Sequence, residues 1–277
     1  PIHRLCVKSS AIADWIYSPR RITKPLKKVN GEWQGTYVPE VRALAFRSIW
    51  SIYPREIRER LISRSKHGPG LWYFYPEQRR WEPQRCKEPA PGGTHATYLE
   101  SLPTVGRIAW FCSAQGSPGM WLLDPRTLES ETLWSGEEFR PRSNPEVPPG
   151  DGVAAYCPEK QLLIVAGRDK KGGVTCHFDV AGRKWTRTAS GPGVPGGHMS
   201  FTPCGYDTVG DVMLLYEQRD GSFWGYSPEQ RKWTAISAKG PPPPSGPAKV
   251  FGYYDQARNV FVLCQSERVW LYRHRRR

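Results

Sequence analysis

One hexapeptide occurs twice, almost letter for letter, as Pro76-Glu77-Gln78-Arg79-Arg80-Trp81 and Pro228-Glu229-Gln230-Arg231-Lys232-Trp233. The copies lie 152 residues apart, about three times 51. Self-similarity at that period marks a chain assembled from repeated supersecondary units, each burying its apolar face against its neighbours. Weaker copies fall between and beyond the two strong ones. Tyr17-Ser18-Pro19 matches Tyr226-Ser227-Pro228, Leu123-Asp124-Pro125 and Phe178-Asp179-Val180 lie between, and Tyr272-Arg273-His274 ends the series. The third residues of the units stand at 19, 76, 125, 180, 228 and 274. Six units therefore cover the chain, at approximately 1–40, 41–92, 93–149, 150–196, 197–247 and 248–277.

Each unit reads as four strands. In the fourth, Val153–Tyr156 is a short run behind a glycine-rich turn, and Gln161–Ala166 is continuously apolar. Val174–Phe178 then alternates, and Trp185–Thr188 is polar and β-branched. The turns carry Pro158-Glu159-Lys160, Asp169-Lys170-Lys171-Gly172-Gly173 and Ala181-Gly182-Arg183, the residue types that bend a chain. The fifth unit repeats the pattern as His198–Phe201, Asp211–Tyr216, Ser222–Tyr226 and Trp233–Ile236. Continuous apolar inner strands beside alternating outer ones are the signature of a sheet covered more deeply on one side. A helical period is approached only at Pro54–Ile62, with few apolar positions. The 27 Gly and 27 Pro supply turns, and 12% aromatic residues supply a core that needs no disulfide or metal.

Four-stranded antiparallel units of about 50 residues, set radially, make an all-β propeller, and that period is the kelch value. The chain resembles the kelch-repeat family in the aromatic ending strand three, the Trp opening strand four (Trp33, Trp81, Trp185, Trp233) and the apolar run ending in Ala166-Gly167. The family's paired glycine after strand two is reduced to Gly167, and Ser130 stands where the third unit should have its Trp. The expectation is one six-bladed domain over 1–277, with five- and seven-bladed rings as alternatives. The first unit supplies Leu5–Lys8, Asp14–Tyr17 and Trp33–Gln34 as strands two to four. The last supplies Val250–Tyr254, Asn259–Cys264 and Val269–Arg273 as strands one to three. First and last blades are thus incomplete, and a segment before Pro1 is expected to complete the seam.

Forty Lys and Arg against 26 Asp and Glu give a formal charge of +14, which favours anionic partners. An acidic protein or an anionic carbohydrate fits best; nucleic acid would be held by non-specific charge, through Arg275-Arg276-Arg277 among others. Apolar runs such as Leu162–Ala166 and Val260–Cys264 are far too short to span a bilayer, so no membrane role is expected. Seven Cys without a C-x-x-C pair indicate neither a disulfide framework nor a zinc ribbon, and point to a reducing compartment such as the cytoplasm.

Topology gathers cations that are remote in sequence. Aligned at the start of strand one, the units superpose Arg42, His95, Gly152, His198 and Lys249 at one mouth of the channel. Turns between strands two and three open on the same face and carry Arg64, Lys66 and His67, then Arg168, Lys170 and Lys171, then Arg219. Fields of like charges add in a concave mouth, and loops on a rigid scaffold are where binding residues collect. Arg42, Arg64, His67, His95, Arg168, Lys171, His198 and Lys249 are the candidate binding residues. On the other face, Arg79-Arg80, Arg183-Lys184 and Arg231-Lys232 precede the outer Trp, where their stems can pack on indole.

Enzyme signatures are few. Gly191-Pro192-Gly193-Val194-Pro195-Gly196 spells G-x-G-x-x-G, but it carries two prolines and opens no helix, so it reads as an inter-blade turn. No H-E-x-x-H, Walker A or G-x-S-x-G occurs. The scaffold is similar to that of galactose oxidase, which implies a copper held by His and Tyr; His95, His198, Tyr98 and Tyr253 fall short of that ligand set. A resemblance to the propeller that isomerises sialic acid implies an acid–base group, for which His95, His198 and Asp151 are the candidates. The reading is a binding module without catalytic residue, metal or cofactor, with a carbohydrate-active enzyme as the alternative.

Overall fold

The computed structural model describes residues 26–29, 32–35, 43–46, 71–75, 80–84, 98–112, 118–141, 143–149, 152–196, 202–218, 220–238, 243, 250–256, 258–265 and 268–274. Apart from one 3-10 turn at Gly136–Phe139, every regular element among them is a β-strand. Two compact units are present, Pro1–Cys86 and Lys87–Arg277, divided close to the expected border between the second and third repeats.

In the first unit, β1 (Leu26–Val29) pairs with β2 (Glu32–Gly35) across Asn30-Gly31, a dipeptide suited to a two-residue hairpin. Trp33 thus has Leu26–Val29 as its neighbour, not the run Asp14–Tyr17 that the repeat suggested. Asp14–Tyr17, Leu5–Lys8 and Pro54–Ile62 lie outside the described residues. The second sheet runs β3 (Ala43–Phe46), β4 (Leu71–Tyr75), β5 (Arg80–Gln84), with the first hexapeptide turning β4 into β5 and Phe74 opposite Trp81. Because β3 pairs directly with β4, Ala43–Phe46 takes the second place in its blade. Arg42 therefore leads into strand two, where the sequence had put strand one.

The second unit holds four antiparallel meanders. They are β6 (Tyr98–Leu102), β7 (Arg107–Cys112), β8 (Gly119–Leu123) and β9 (Ser130–Ser135); β10 (Gly152–Cys157), β11 (Leu162–Asp169), β12 (Gly172–Asp179) and β13 (Lys184–Gly191); β14 (Cys204–Asp207), β15 (Val212–Glu217), β16 (Ser222–Ser227) and β17 (Lys232–Ala235); and β18 (Phe251–Asp255), β19 (Val260–Gln265) and β20 (Arg268–Tyr272). One boundary differs from expectation. The first strand of the fifth repeat is Cys204–Asp207, not His198–Phe201, because its partner Val212–Glu217 fixes the hairpin turn at 208–211. Among the described residues, pairing reaches back to Pro203, whose carbonyl accepts the Tyr216 N–H at 3.0 Å. His198 consequently stands four residues before Thr202, the counterpart of Gly152.

The same hairpin chemistry recurs at one end of each of the four sheets in 87–277. Gly106, Gln161, Asp211 and Asn259 are left-handed in the first hairpins, and Leu128, Arg183 and Arg231 in the last, with φ between 49° and 63°. This is the left-handed residue that closes a type I turn through a bulge. Carboxylates open many of these turns: Asp124, Asp179, Asp207 and Asp255 each accept a backbone N–H two or three residues on.

Within 87–277 the first strands adjoin one another, β10 beside β6 and β14, and β14 beside β18. The Cys204 thiol on β14 donates to the Ala154 carbonyl on β10 at 3.1 Å. Apolar layers fill the space between successive sheets. Phe111, Met120 and Phe139 meet Phe178 and Trp185; Ile164 meets Met213, Tyr226 and Trp233; Leu214 and Phe223 meet Phe261 and Leu263. Inner strand on inner strand and face on face, these four sheets pack in a propeller-like succession. No helix among the described residues is long and apolar enough to cross a membrane.

Candidate functional site

Strands β11 and β12 are eight residues each, and their turn carries the cationic run of the fourth repeat. Arg168, Lys170 and Lys171 are all exposed. The turn is held by backbone packing. A Cβ on Gly173 would stand 1.9 Å from the Val194 carbonyl oxygen, and one on Gly172, itself at φ +137°, would stand 2.5 Å from that of Gly191. A Cβ on Gly196 would meet the Gly167 carbonyl oxygen at 2.6 Å. The G-x-G-x-x-G letters of 191–196 thus form a linker that leaves a strand and seats itself on the β11–β12 turn.

Asp169 is committed within this turn. One carboxylate oxygen accepts the Lys171 N–H at 2.7 Å, and the other faces the Arg187 guanidinium at 3.2 Å. Arg187 also donates through Nε to the Pro145 carbonyl at 2.7 Å, while its backbone N–H goes to Glu146 at 2.7 Å. Arg187 is therefore neutralised in place. Asp220, on the corresponding turn of the next sheet, is held below the usual carboxylate range mainly by the Ser222 hydroxyl and N–H, with a smaller contribution from Arg168.

Of the eight candidate residues, Arg168 and Lys171 share this turn. Arg42, Arg64, His67, His95, His198 and Lys249 lie outside the described residues, as do Lys66, Asp151 and Arg219. Tyr98 is on β6, and Tyr253 is on β18 with 45% of its surface exposed. Among the described residues no group of three or more His, Cys, Asp or Glu could hold a metal ion.

Three polar arrangements were not foreseen. The first is buried between the second and third sheets of the unit. Tyr226 Oη lies 2.9 Å from His177 Nε2 and 2.7 Å from Thr188 Oγ1, and Trp233 Nε1 donates to Thr175 Oγ1 at 2.8 Å. Thr188 donates on to the Thr175 carbonyl at 3.3 Å. That direction lets Thr188 accept the Tyr226 proton and His177 donate its Nε2–H to the phenol oxygen. Burial, aided by Arg231, lowers the His177 pKa to about 4, and burial pushes Tyr226 up to about 12.

The second is a row of first-strand tyrosines at the hairpin end. Tyr156 Oη meets Thr104; Tyr206 donates to Asp211, which Lys160 reaches from the preceding sheet at 2.5 Å; Tyr254 donates to Asp207 at 2.7 Å. Asn259 also contacts the Tyr254 oxygen. The Asn259 side-chain oxygen and the Asp207 carboxylate thus both face the one Tyr254 hydroxyl. The third is Arg183, expected to lie on indole. Its guanidinium instead pairs with Glu131 of the preceding sheet.

Glu100, on the first strand β6, has its pKa raised to about 8 by burial, opposed by the Tyr156 N–H. The folded state keeps a proton that the unfolded chain releases near 4.5, so this contribution is full below pH 4.5 and is lost as pH rises through 8. Glu100→Gln is expected to flatten the fall in stability between those pH values, by about 2 kcal/mol after discounting partial exposure. Equal slopes for the two proteins in a pH series of melting curves would contradict it.

No protein-family model matches the chain, and no curated protein is significantly similar in sequence. Among solved structures the chain is similar to TolB from Acinetobacter baumannii, at 13% identity over 83% of this chain and 49% of that one, with a TM-score of 0.48. It is similar to the Nidogen/Laminin complex at 11% identity over 71% and 68%, TM-score 0.43, and to the major Malassezia sympodialis allergen Mala s 1 at 14% over 75% and 69%, TM-score 0.47. The chain thus spans about half the length of the TolB structure.

Proposed function

We propose that the chain is a six-bladed, kelch-type propeller acting as a binding module for an anionic ligand, an acidic protein or an anionic carbohydrate. The observation that carries this reading is the β11–β12 turn. Arg168, Lys170 and Lys171 are exposed on a segment clamped by the 191–196 linker, while the neighbouring Asp169 is tied to Arg187. Cations on a rigid turn recognise an anion without first ordering a loop, and Arg adds directional, charge-assisted hydrogen bonds. The net charge of +14 would steer encounter with such a partner.

Arg168→Glu with Lys171→Glu is expected to weaken retention on immobilised heparin, with affinity for a heparin oligosaccharide falling roughly tenfold or about 1.4 kcal/mol. Lys249→Glu, two residues before the last sheet's first strand, tests the other half of the proposed face in the same assay. Undiminished, salt-sensitive binding by both variants would remove the site from this face.

A further inference from the structure

The cationic β11–β12 turn has a neighbour of different chemistry. The turn from β15 to β16 carries Asp220, an exposed carboxylate. One of its oxygens accepts the Ser222 N–H at 2.9 Å, and the Ser222 hydroxyl also helps keep it ionised. Ser222 Oγ in turn accepts the Trp224 Nε1–H at 2.8 Å, so the indole is held in register with the turn. Trp224 packs on the apolar layer shared with the preceding sheet, as Val194 of the 191–196 linker does, and stays partly exposed.

Arg168 approaches from the end of β11. Its stem runs along the linker: a Cβ on Gly196 would stand 3.0 Å from Arg168 Cβ and 3.2 Å from its Nε. The guanidinium is close enough to Asp220 to favour its charged form, yet among the described residues no ion pair joins the two. Lys171 is exposed on the same turn as Arg168.

A carboxylate is out of place in a site for plain anions. Asp220 repels any ligand that presents only carboxylates or sulfates, and the indole offers such a ligand little. A hydroxyl set between the two charges is different, because it accepts from the guanidinium and donates to the carboxylate at once. An indole beside them can cover the C–H face of a pyranose ring. Acid, hydroxyl and apolar face occur together in one sugar acid.

We infer that this face binds a carboxylated sugar, with Lys171 drawing its carboxylate, Arg168 and Asp220 bracketing a ring hydroxyl and Trp224 against the ring. The inference rests on the anion-binding reading above and selects, within it, the carbohydrate over the acidic protein. A heavily sulfated chain fits less well, since esterified hydroxyls bring Asp220 no proton.

The test is calorimetric titration of the whole chain with tetragalacturonate and with acetylated, amidated tetraglutamate, which carry equal charge. Expected in the parent is about tenfold tighter binding of the sugar. Asp220→Ala should weaken the sugar about tenfold and tighten the peptide, since it deletes an acceptor for one and a repulsion for the other. Trp224→Leu, which keeps an apolar side chain in the layer, should weaken the sugar alone; if it fails to fold, Asp220→Ala on its exposed turn still decides. Absent sugar binding, equal affinities for the two ligands, or a sugar titration that Asp220→Ala leaves unchanged would each overturn the inference. Arg168→Glu with Lys171→Glu, expected to weaken both ligands, tells which level has failed. If it weakens the peptide while the sugar shows no preference, the anion site stands and the sugar falls; if it weakens neither, both readings fall.

Discussion

Gly173→Ala is expected to lower stability by about 3 kcal/mol, roughly 6–12 °C in thermal midpoint for a body of this size. Gly173 is buried at the start of β12, and its missing side chain is where the 191–196 linker passes. The added carbon would lie 1.9 Å from the Val194 carbonyl oxygen and within 3.0 Å of the Pro195 carbonyl carbon. These are backbone atoms, so no rotamer change relieves the contact. Pro195 fixes its own φ and narrows the ways the linker can give. Either β12 shifts or the linker lifts, and a lifted linker releases the turn that carries Arg168 and Lys171. Gly193→Ala, one residue from the contact in the same linker, meets nothing within 4 Å and serves as the control. Differential scanning calorimetry of the two variants decides: matching midpoints would mean that the linker does not rest on the turn.

That contact also shows where sequence reading stops. Gly191-Pro192-Gly193-Val194-Pro195-Gly196 could be rejected as a phosphate loop from its prolines and its missing helix, because both signals are local. Its real task, close approach to Gly167, Gly172 and Gly173, depends on pairings made by other residues. The repeat hairpins were legible for the same reason in reverse. Turn chemistry is written within five or six residues, so β10–β13 and the β15–β17 hairpins fell where the letters put them. Their non-glycine left-handed residues, Gln161, Arg183 and Arg231, carry no such mark, since any long polar side chain tolerates the position at modest cost. The first strand of the fifth repeat was misplaced because His198–Phe201 and Cys204–Asp207 are both short and mixed. Only the partner Val212–Glu217, with Asp207 and Asp211 framing the turn, distinguishes them.

The candidate site divides along the same line. Exposed charge is visible in sequence, and the structure places Arg168 and Lys171, both exposed, on one turn. That Asp169 is spoken for by Arg187 could not be seen, because the pair spans two strands of one sheet and draws in Glu146 from 41 residues away. Arg183 was assigned to indole for want of any sign that Glu131 of another sheet lies within reach. His177 was one of six scattered histidines. Its position in an otherwise apolar strand was the available clue, and its meaning required the neighbouring sheet.

Tyr226→Phe is the variant that exposes that meaning. The phenol oxygen is shared by His177 and Thr188, 49 and 38 residues away, and its loss leaves a buried Nε2–H and a half-buried hydroxyl lone pair without their partner. Shape is conserved, so the cost is the unmet polar groups, about 1–3 kcal/mol. The pH dependence identifies the group responsible. His177 titrates near 4 in the folded chain and near 6.5 when unfolded, so on acidification the unfolded state takes the proton first. Stability due to the neutral imidazole is complete above pH 6.5 and is lost as pH falls through 4, to a limit of about 3 kcal/mol. His177→Gln keeps an N–H for the Tyr226 oxygen and removes the titration. It should therefore flatten the acid limb of the stability curve, whereas Tyr226→Phe lowers the curve even at pH 8. Urea unfolding at several pH values separates the two effects. If His177→Gln loses stability below pH 6.5 as steeply as the parent, the imidazole is not the buried base that couples these two sheets.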